Sequence, residues 1–252
     1  MKNSIIILIL LLGFLGSAQN ESIFDKATAA YNEGAYEKCI GLYKTILDNG
    51  QHSAELYYNL GNSYYKLNDI ANSIYFYEKA LLLAPNDVEI QNNLGYAQQM
   101  TLDAIDVLPE TGLSKIYKTV TSALTFDQWA YLGVGFMFLF VIFYILFYYF
   151  QYSTRKRWAF IASLVSLTIV VITILFAYFQ YSDYKANRPA IIFAEEIGIQ
   201  AEPNTTSDEV FVLHSGTKVN VLEELNNWKK IRIANGKTGW VTSKNLRLLK
   251  DF

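Results

Sequence analysis

The sequence is poor in the groups from which catalytic and metal centres are built. Its 252 residues include one cysteine, Cys39, and two histidines, His52 and His214. A single thiol excludes a disulfide framework within the chain, and one Cys with two His is too small a ligand set for a protein-only zinc site. Four prolines and 14 glycines exclude a collagenous or low-complexity chain. Charged residues make up only 17%, against roughly a quarter in soluble domains. The net charge of −2 removes the electrostatic case for nucleic acid as a partner. What the chain has instead is apolar mass: 52% hydrophobic residues, with 19 Tyr and 16 Phe.

Charge is unevenly distributed. Residues 20–108 hold twelve acids against five bases, residues 111–189 seven bases against two acids, and residues 190–252 eight of each. An acidic head, a basic apolar middle and a neutral tail read as separate modules.

The N-terminus runs Met1-Lys2-Asn3-Ser4, then aliphatic from Ile5 to Leu15, then Gly16-Ser17-Ala18. A basic start, a short apolar run and small residues before the cut are the parts of a signal peptide over 1–18, cleaved after Ala18. The alternative is an uncleaved anchor, but eleven apolar residues reach only about 16 Å into a hydrocarbon core of about 30 Å. Under both readings the head is expected to be exported.

Two longer segments, 129–150 and 158–181, carry no charge over 22 and 24 residues, enough to cross a bilayer. Trp129, Tyr131, Tyr148, Tyr149, Tyr152, Trp158, Tyr178, Tyr181 and Tyr184 cluster near their ends, as aromatic belts do at headgroup depth. The turn 151–157 contains Arg155-Lys156-Arg157 and reads as a cytoplasmic loop. Lys115, Lys118, Lys185 and Arg188 on the outer flanks reduce that bias, and the export signal decides the orientation. Head and tail are therefore both expected on the outward side of the membrane. Ala159/Ser163 and Ala162/Ser166 place small residues at i, i+4 where the two helices could approach, although small residues also scatter along lipid-facing helices. Neither span carries an ionisable residue, which argues against transport. Residues 182–189 read as a linker. Over 109–128, Leu113, Ile116, Tyr117, Val120 and Leu124 share a helical face with Lys115 and Lys118 opposite, which fits a short interfacial helix or a plain connector.

Residues 54–87 resemble a tetratricopeptide repeat. Leu60-Gly61 and Tyr64 mark the first helix, Ser73, Tyr77 and Ala80 the second, and Pro85 the end. Small residues at Gly61, Ser73 and Ala80 let two antiparallel helices approach, and the tyrosines fill the space between. Ala27, Cys39 and Tyr43 recur 34 residues earlier, around a Gly34-Ala35-Tyr36 turn, so Cys39 is read as structural. Leu94-Gly95 recur 34 later, and the pattern stops before Leu108-Pro109. The head, 20–108, is then two repeats plus a closing helix. The resemblance implies a peptide groove on the first helices, at Phe24, Thr28, Tyr31, Tyr58, Asn62, Tyr65, Lys66 and Tyr96. Asn62 and Lys66 suit a carboxylate, but Phe24 stands where a carboxylate clamp has its first Lys, so an aromatic-lined, weakly acidic groove is expected. The same tyrosines would equally serve to cover a small fold or to face a neighbouring subunit.

From Ala190 the pattern changes to short strands and turns. Ile197–Ala201, Val210–Leu213, Thr217–Leu222, Trp228–Ile233 and Lys237–Val241 read as strands, with Asn235-Gly236 a hairpin turn. Gly216-x-x-Val219-x-Val221, the strand opened by Trp228, and Gly239-Trp240-Val241 resemble bacterial SH3-like domains. Trp228 and Trp240 are candidates either for packing the small barrel or for a ligand surface. Gly236-Lys237-Thr238 lacks the upstream glycine of a phosphate loop, and His214-Ser215 has no triad around it.

The order signal, helical repeats, two-span hairpin and SH3-like barrel resembles the BatE-type proteins of the Bat aerotolerance operon. The likeness is sharpest at Asp103–Asp106, Arg188–Glu195, Gly216–Val219, Val221–Leu225 and Trp228–Ile231. It implies von Willebrand factor A-type membrane proteins and a MoxR-type ATPase as partners, besides membrane lipid, in aerotolerance or envelope stress. The expected fold is a multidomain membrane protein: all-α repeats, a transmembrane hairpin and an all-β barrel. The expected function is a non-enzymatic protein-binding scaffold with no cofactor. The alternative is a cell-wall-binding sensor, or helper of an envelope hydrolase, acting on peptidoglycan through the tail.

Overall fold

A computed structural model describes residues 19–105 and 112–250. They fall into two compact units, one joining the head, through Asp106, to the tail from Arg188, the other covering Val107–Asn187. The signal peptide expected over 1–18 and the stop expected at Leu108-Pro109 lie outside the described residues.

The head is five helices: α1 (19–32), α2 (Tyr36–Asp48), α3 (Ala54–Lys66), α4 (Ile70–Leu83) and α5 (Val88–Gln98). Ser53, Asp69 and Asp87 start α3, α4 and α5 by accepting backbone N–H bonds from the first turn. Gly34 takes φ +78° in the turn into α2, a conformation that costs glycine little. The small-residue reading of the repeat holds at atomic level. A Cβ on Gly61 would lie 2.5 Å from the Tyr77 ring, and the Ser73 hydroxyl donates to the Gly61 carbonyl at 3.0 Å. Tyr64 stacks on Phe76 with ring centroids 5.5 Å apart.

The tail is a seven-stranded antiparallel sheet: β1 (Pro189–Ile192), β2 (Glu196–Gln200), β3 (Glu209–His214), β4 (Lys218–Leu225), β5 (Trp228–Arg232), β6 (Thr238–Thr242) and β7 (Leu246–Leu248). Their order is β3-β2-β6-β5-β4-β1-β7. Ile199, Leu213, Val219, Val221, Ile231 and Val241 fill its interior. Asn226 at φ +52° closes the β4–β5 hairpin, and Gly236 at φ +87° turns β5 into β6.

The sequence reading treats head and tail as separate modules and does not identify β1 or β7. The structure joins them, and β1 is the reason. All four of its residues are buried. Ala190 and Ile192 face the sheet interior, while Ile191, with Leu249, belongs to the core of the helical head. A strand covered on both faces does not alternate, so its period-2 signal is absent. On the head side, α4 is buried from Ala71 through Ala80 except Asn72, because α3 and α5 pack one side and the tail the other.

In the second unit, α6 (Leu113–Thr121) precedes α7 (Phe126–Tyr149) and α8 (Ser153–Ala186). Thr125 and Gln128 form a reciprocal capping box at the start of α7. Of the small residues read at i, i+4, Ala159, Ser163 and Ser166 are buried and Ala162 is half-buried; Val170 and Thr173 are buried with them, and Thr173 Oγ1 lies 2.9 Å from where a Cβ on Gly133 would sit. Ser163 and Thr173 donate their hydroxyls to carbonyls of their own helix, which satisfies them without water. Both long helices are long and apolar enough to cross a membrane, and only 6% and 28% of their apolar stretches are buried. A core helix of a soluble protein shows the reverse.

Three bounds differ from the sequence reading, the first being that α7 starts at Phe126, inside the segment read as connector. Arg155, Lys156 and Arg157 lie on the first turns of α8 rather than in a loop, since Ser153 and Thr154 already take helical geometry. At the other end α8 continues through Ser182–Ala186, read as linker, because nothing there breaks a helix before Pro189 disfavours it for Arg188.

Candidate functional site

Four helices of the head converge on a cleft of about 180 Å³ lined by Tyr31, Asn62, Tyr65, Lys66, Tyr77, Asn93 and Tyr96. Five of these are residues read from the sequence. Helix α1 supplies Tyr31, α3 supplies Asn62, Tyr65 and Lys66, and α5 supplies Tyr96, because equivalent turns of stacked helices face the same way. Tyr58 lies outside the lining but is tied to it. Phe24 is not part of the cleft: its ring tilts against Tyr43 at 5.3 Å, and Thr28 is occupied with the Tyr43 hydroxyl at 3.1 Å and the Phe24 carbonyl.

Tyr77 and Asn93 are additions from the structure. Tyr77 is a core residue of the repeat whose hydroxyl also reaches the cleft. Asn93 stands one helical turn before Tyr96 on α5, which is the only sequence signal that would have found it.

The floor of the cleft is a hydrogen-bonded chain. Glu89 accepts from the Tyr58 hydroxyl at 2.5 Å, the Tyr58 oxygen accepts from Asn93 Nδ2 at 2.8 Å, and Asn62 Oδ1 accepts from both Asn93 Nδ2 at 3.1 Å and the Tyr77 hydroxyl at 2.6 Å. Burial and the adjoining Glu89 carboxylate push the Tyr58 phenol up to about 12, and burial raises Tyr77 well above the usual tyrosine range. Both phenols are donors at any physiological pH. The chain ties the two amides together: the Asn62 oxygen accepts twice, and the Asn93 nitrogen donates twice. Two side-chain amides beside four tyrosine rings and the exposed Lys66 make a polar and aromatic lining of the kind that takes a peptide. They do not form a nucleophile–base pair.

The other reactive-looking groups are committed to structure. Cys39 is buried against the Ser63 hydroxyl at 3.3 Å, and burial pushes its thiol up, away from the thiolate. His214 holds Asp103 through Nδ1 at 2.7 Å, and its Nε2 faces Glu196 at 3.9 Å rather than a nucleophile. Among the described residues no group of three His, Cys, Asp or Glu side chains is placed to hold a metal ion.

Asp103 belongs to the seam between head and tail. Its carboxylate accepts from the backbone N–H of His214 at 2.8 Å, the His214 ring and the Thr217 hydroxyl at 2.5 Å. Burial alone would raise its pKa, but those three bonds outweigh it and hold the carboxyl below its usual value. Lys218 reaches Glu78 of α4 at 2.6 Å, Tyr75 packs edge-on to Phe193, and the Arg247 guanidinium lies over the Phe193 ring at 4.0 Å. Gly216, at φ +89°, fits against Ile74 and Thr101 where a side chain would crowd them.

On the tail, Trp228 and Trp240 are half-buried and stand on the outer face of the sheet. Trp240 is paired with Lys230, whose ammonium lies 5.8 Å from the indole centroid, while their neighbours Ile231 and Val241 point inward. The barrel-packing role weighed for these tryptophans is filled by aliphatic residues instead.

Residues 54–87 match the tetratricopeptide-repeat family and residues 199–247 match the bacterial SH3 domain family. A search of curated proteins found no significant match. Head and tail thus contain two kinds of module that typically bind rather than catalyse, carried with two helices apolar enough for a membrane.

Proposed function

We propose that this chain is a non-enzymatic, membrane-anchored scaffold that binds partner proteins on the periplasmic side of a bacterial inner membrane. In this reading it works in a Bat-type aerotolerance or envelope-stress complex with von Willebrand factor A-type membrane proteins and a MoxR-type ATPase. The observation that carries the binding role is the cleft, where Asn62, Asn93 and Lys66 stand among four tyrosine rings. The union of head and tail in one compact unit supports a two-span hairpin, since both ends must then lie on the same side of the bilayer. Three of the segments that carry the resemblance, Asp103 to Ile105, Arg188 to Glu195 and Gly216 to Val219, contribute residues to the seam of that unit. A partner touching both cleft and tail would meet a preorganised surface and lose less ordering entropy on binding.

The test is co-purification from gently solubilised membranes. Lys66→Glu with Tyr96→Ala, two exposed positions, should leave the fold intact and strip off partners that the wild type retains. Equal recovery from both would remove the cleft from the account. A second reading is favoured by the outward Trp228 and Trp240: the tail binds peptidoglycan. Co-sedimentation of the full chain with purified cell wall, lost on Trp240→Ala, is the result it requires.

A further inference from the structure

We infer that α6 is a third membrane-contacting element, seated in the headgroup layer with its Ile116 and Val120 side chains toward the lipid. The inference rests on reading α7 and α8 as a membrane hairpin.

Helix α6 has nine residues, too few to be stable alone in water. Yet it keeps its apolar face open, with Ile116 62% and Val120 43% exposed. Lys115, a residue away from Ile116 and about 100° around the helix, is polar and exposed. The level of α6 along the hairpin is fixed at three points. The Tyr117 hydroxyl donates to Asp183 of α8 at 3.2 Å, the Trp129 indole N–H of α7 donates to the Thr121 carbonyl at 3.0 Å, and Gln180 Nε2 of α8 donates to the Leu124 carbonyl at 3.0 Å.

Those three anchors belong to one end of the hairpin, the first turn of α7 and the last turns of α8. The same end carries Trp129, Tyr131, Tyr178, Tyr181 and Tyr184, aromatic side chains of the type that settle at headgroup depth. The exposed face of α6 is therefore continuous with the surface that meets lipid and stands at its polar edge. An amphipathic helix at that level buries its apolar side in the boundary between headgroups and acyl chains.

The test uses the full chain in vesicles of phosphatidylethanolamine and phosphatidylglycerol. Nitroxide labels are placed singly on Ile116→Cys, Lys115→Cys, Phe138→Cys in mid-α7 and Tyr96→Cys in the head; all four parent side chains are exposed, so folding should be unaffected. Relative accessibility to oxygen and to a water-soluble nickel chelate reports depth. The expected result is a deep signal at 138, an interfacial one at 116, and aqueous ones at 115 and 96. A deep signal at 138 with 116 as aqueous as 115 would overturn the inference and leave the hairpin standing. Protection of 116 from both relaxers would overturn it in favour of a protein partner. An aqueous signal at 138 would remove the hairpin reading, and the inference with it.

Discussion

Helices α4 and α7 are both apolar around most of their circumference, and they have opposite fates. Helix α4 is buried almost throughout, between α3 and α5 on one side and the tail on the other. Helix α7 has one buried residue, Gly133. The polar content tells them apart. Helix α4 buries Glu78, paired with Lys218, and Lys79, whose ammonium lies 5.0 Å from the Tyr57 ring centroid. Helix α7 has no ionisable side chain other than tyrosine after Asp127. A helix surrounded by protein can hold a charge because a partner can be supplied, whereas one surrounded by lipid is confined to groups that need none.

The largest effect should come from breaking the double cover. Ile191→Asp puts a carboxylate where sheet and head meet, and an uncompensated buried charge costs on the order of 3–5 kcal/mol. Thermal unfolding in detergent should split into separate head and tail transitions. A single unchanged transition would mean that the seam contributes nothing to their cooperativity.

A smaller effect sharpens the contrast between tight and open helix faces. Gly61→Ala presses a methyl into the Tyr77 ring, while the same change at Gly135 of α7 meets nothing within 4 Å. Overpacking should cost the head about 1–3 kcal/mol. Gly135→Ala should leave helicity and melting unchanged or slightly improved, and circular dichroism on both variants makes the comparison.

The smallest effect is a pH dependence at the seam. Asp103 is held below the ordinary carboxylate pKa in the folded chain, so its contribution is present above that ordinary value. It is lost as pH falls through the lower folded value, at about pH 4 and below. Asp103→Asn should lower stability by about 1–2 kcal/mol at pH 7. Its melting temperature should converge on that of the wild type in acid, and a constant offset across pH would assign the effect to packing rather than to the charge.

Much of the head was legible because its signals are local. Gly61, Ser73 and Ala80 have to be small at those spacings, and Tyr31, Asn62, Tyr65, Lys66 and Tyr96 fall on faces that a regular repeat directs together. Phe24 lies outside the cleft lining with its ring against Tyr43, a contact that no spacing rule describes. Asn93 has neither charge nor ring to mark it, and its role exists only through bonds to Tyr58 and Asn62. The outward placement of Trp228 and Trp240 followed from the register of β5 on β6, which hydrophobicity alone misassigns for a residue as amphipathic as tryptophan.

By itself the sequence determined the repeat, the barrel strands with alternating patterns, and two helices long and apolar enough to cross a membrane, because each depends on residues close together in the chain. Only tertiary structure decided that head and tail are one body. That union rests on Ile191 entering the helical core and on Asp103, Glu78 and Arg247 pairing with His214, Lys218 and Asn72, each more than a hundred residues away, and no local periodicity records which distant surface will cover a strand.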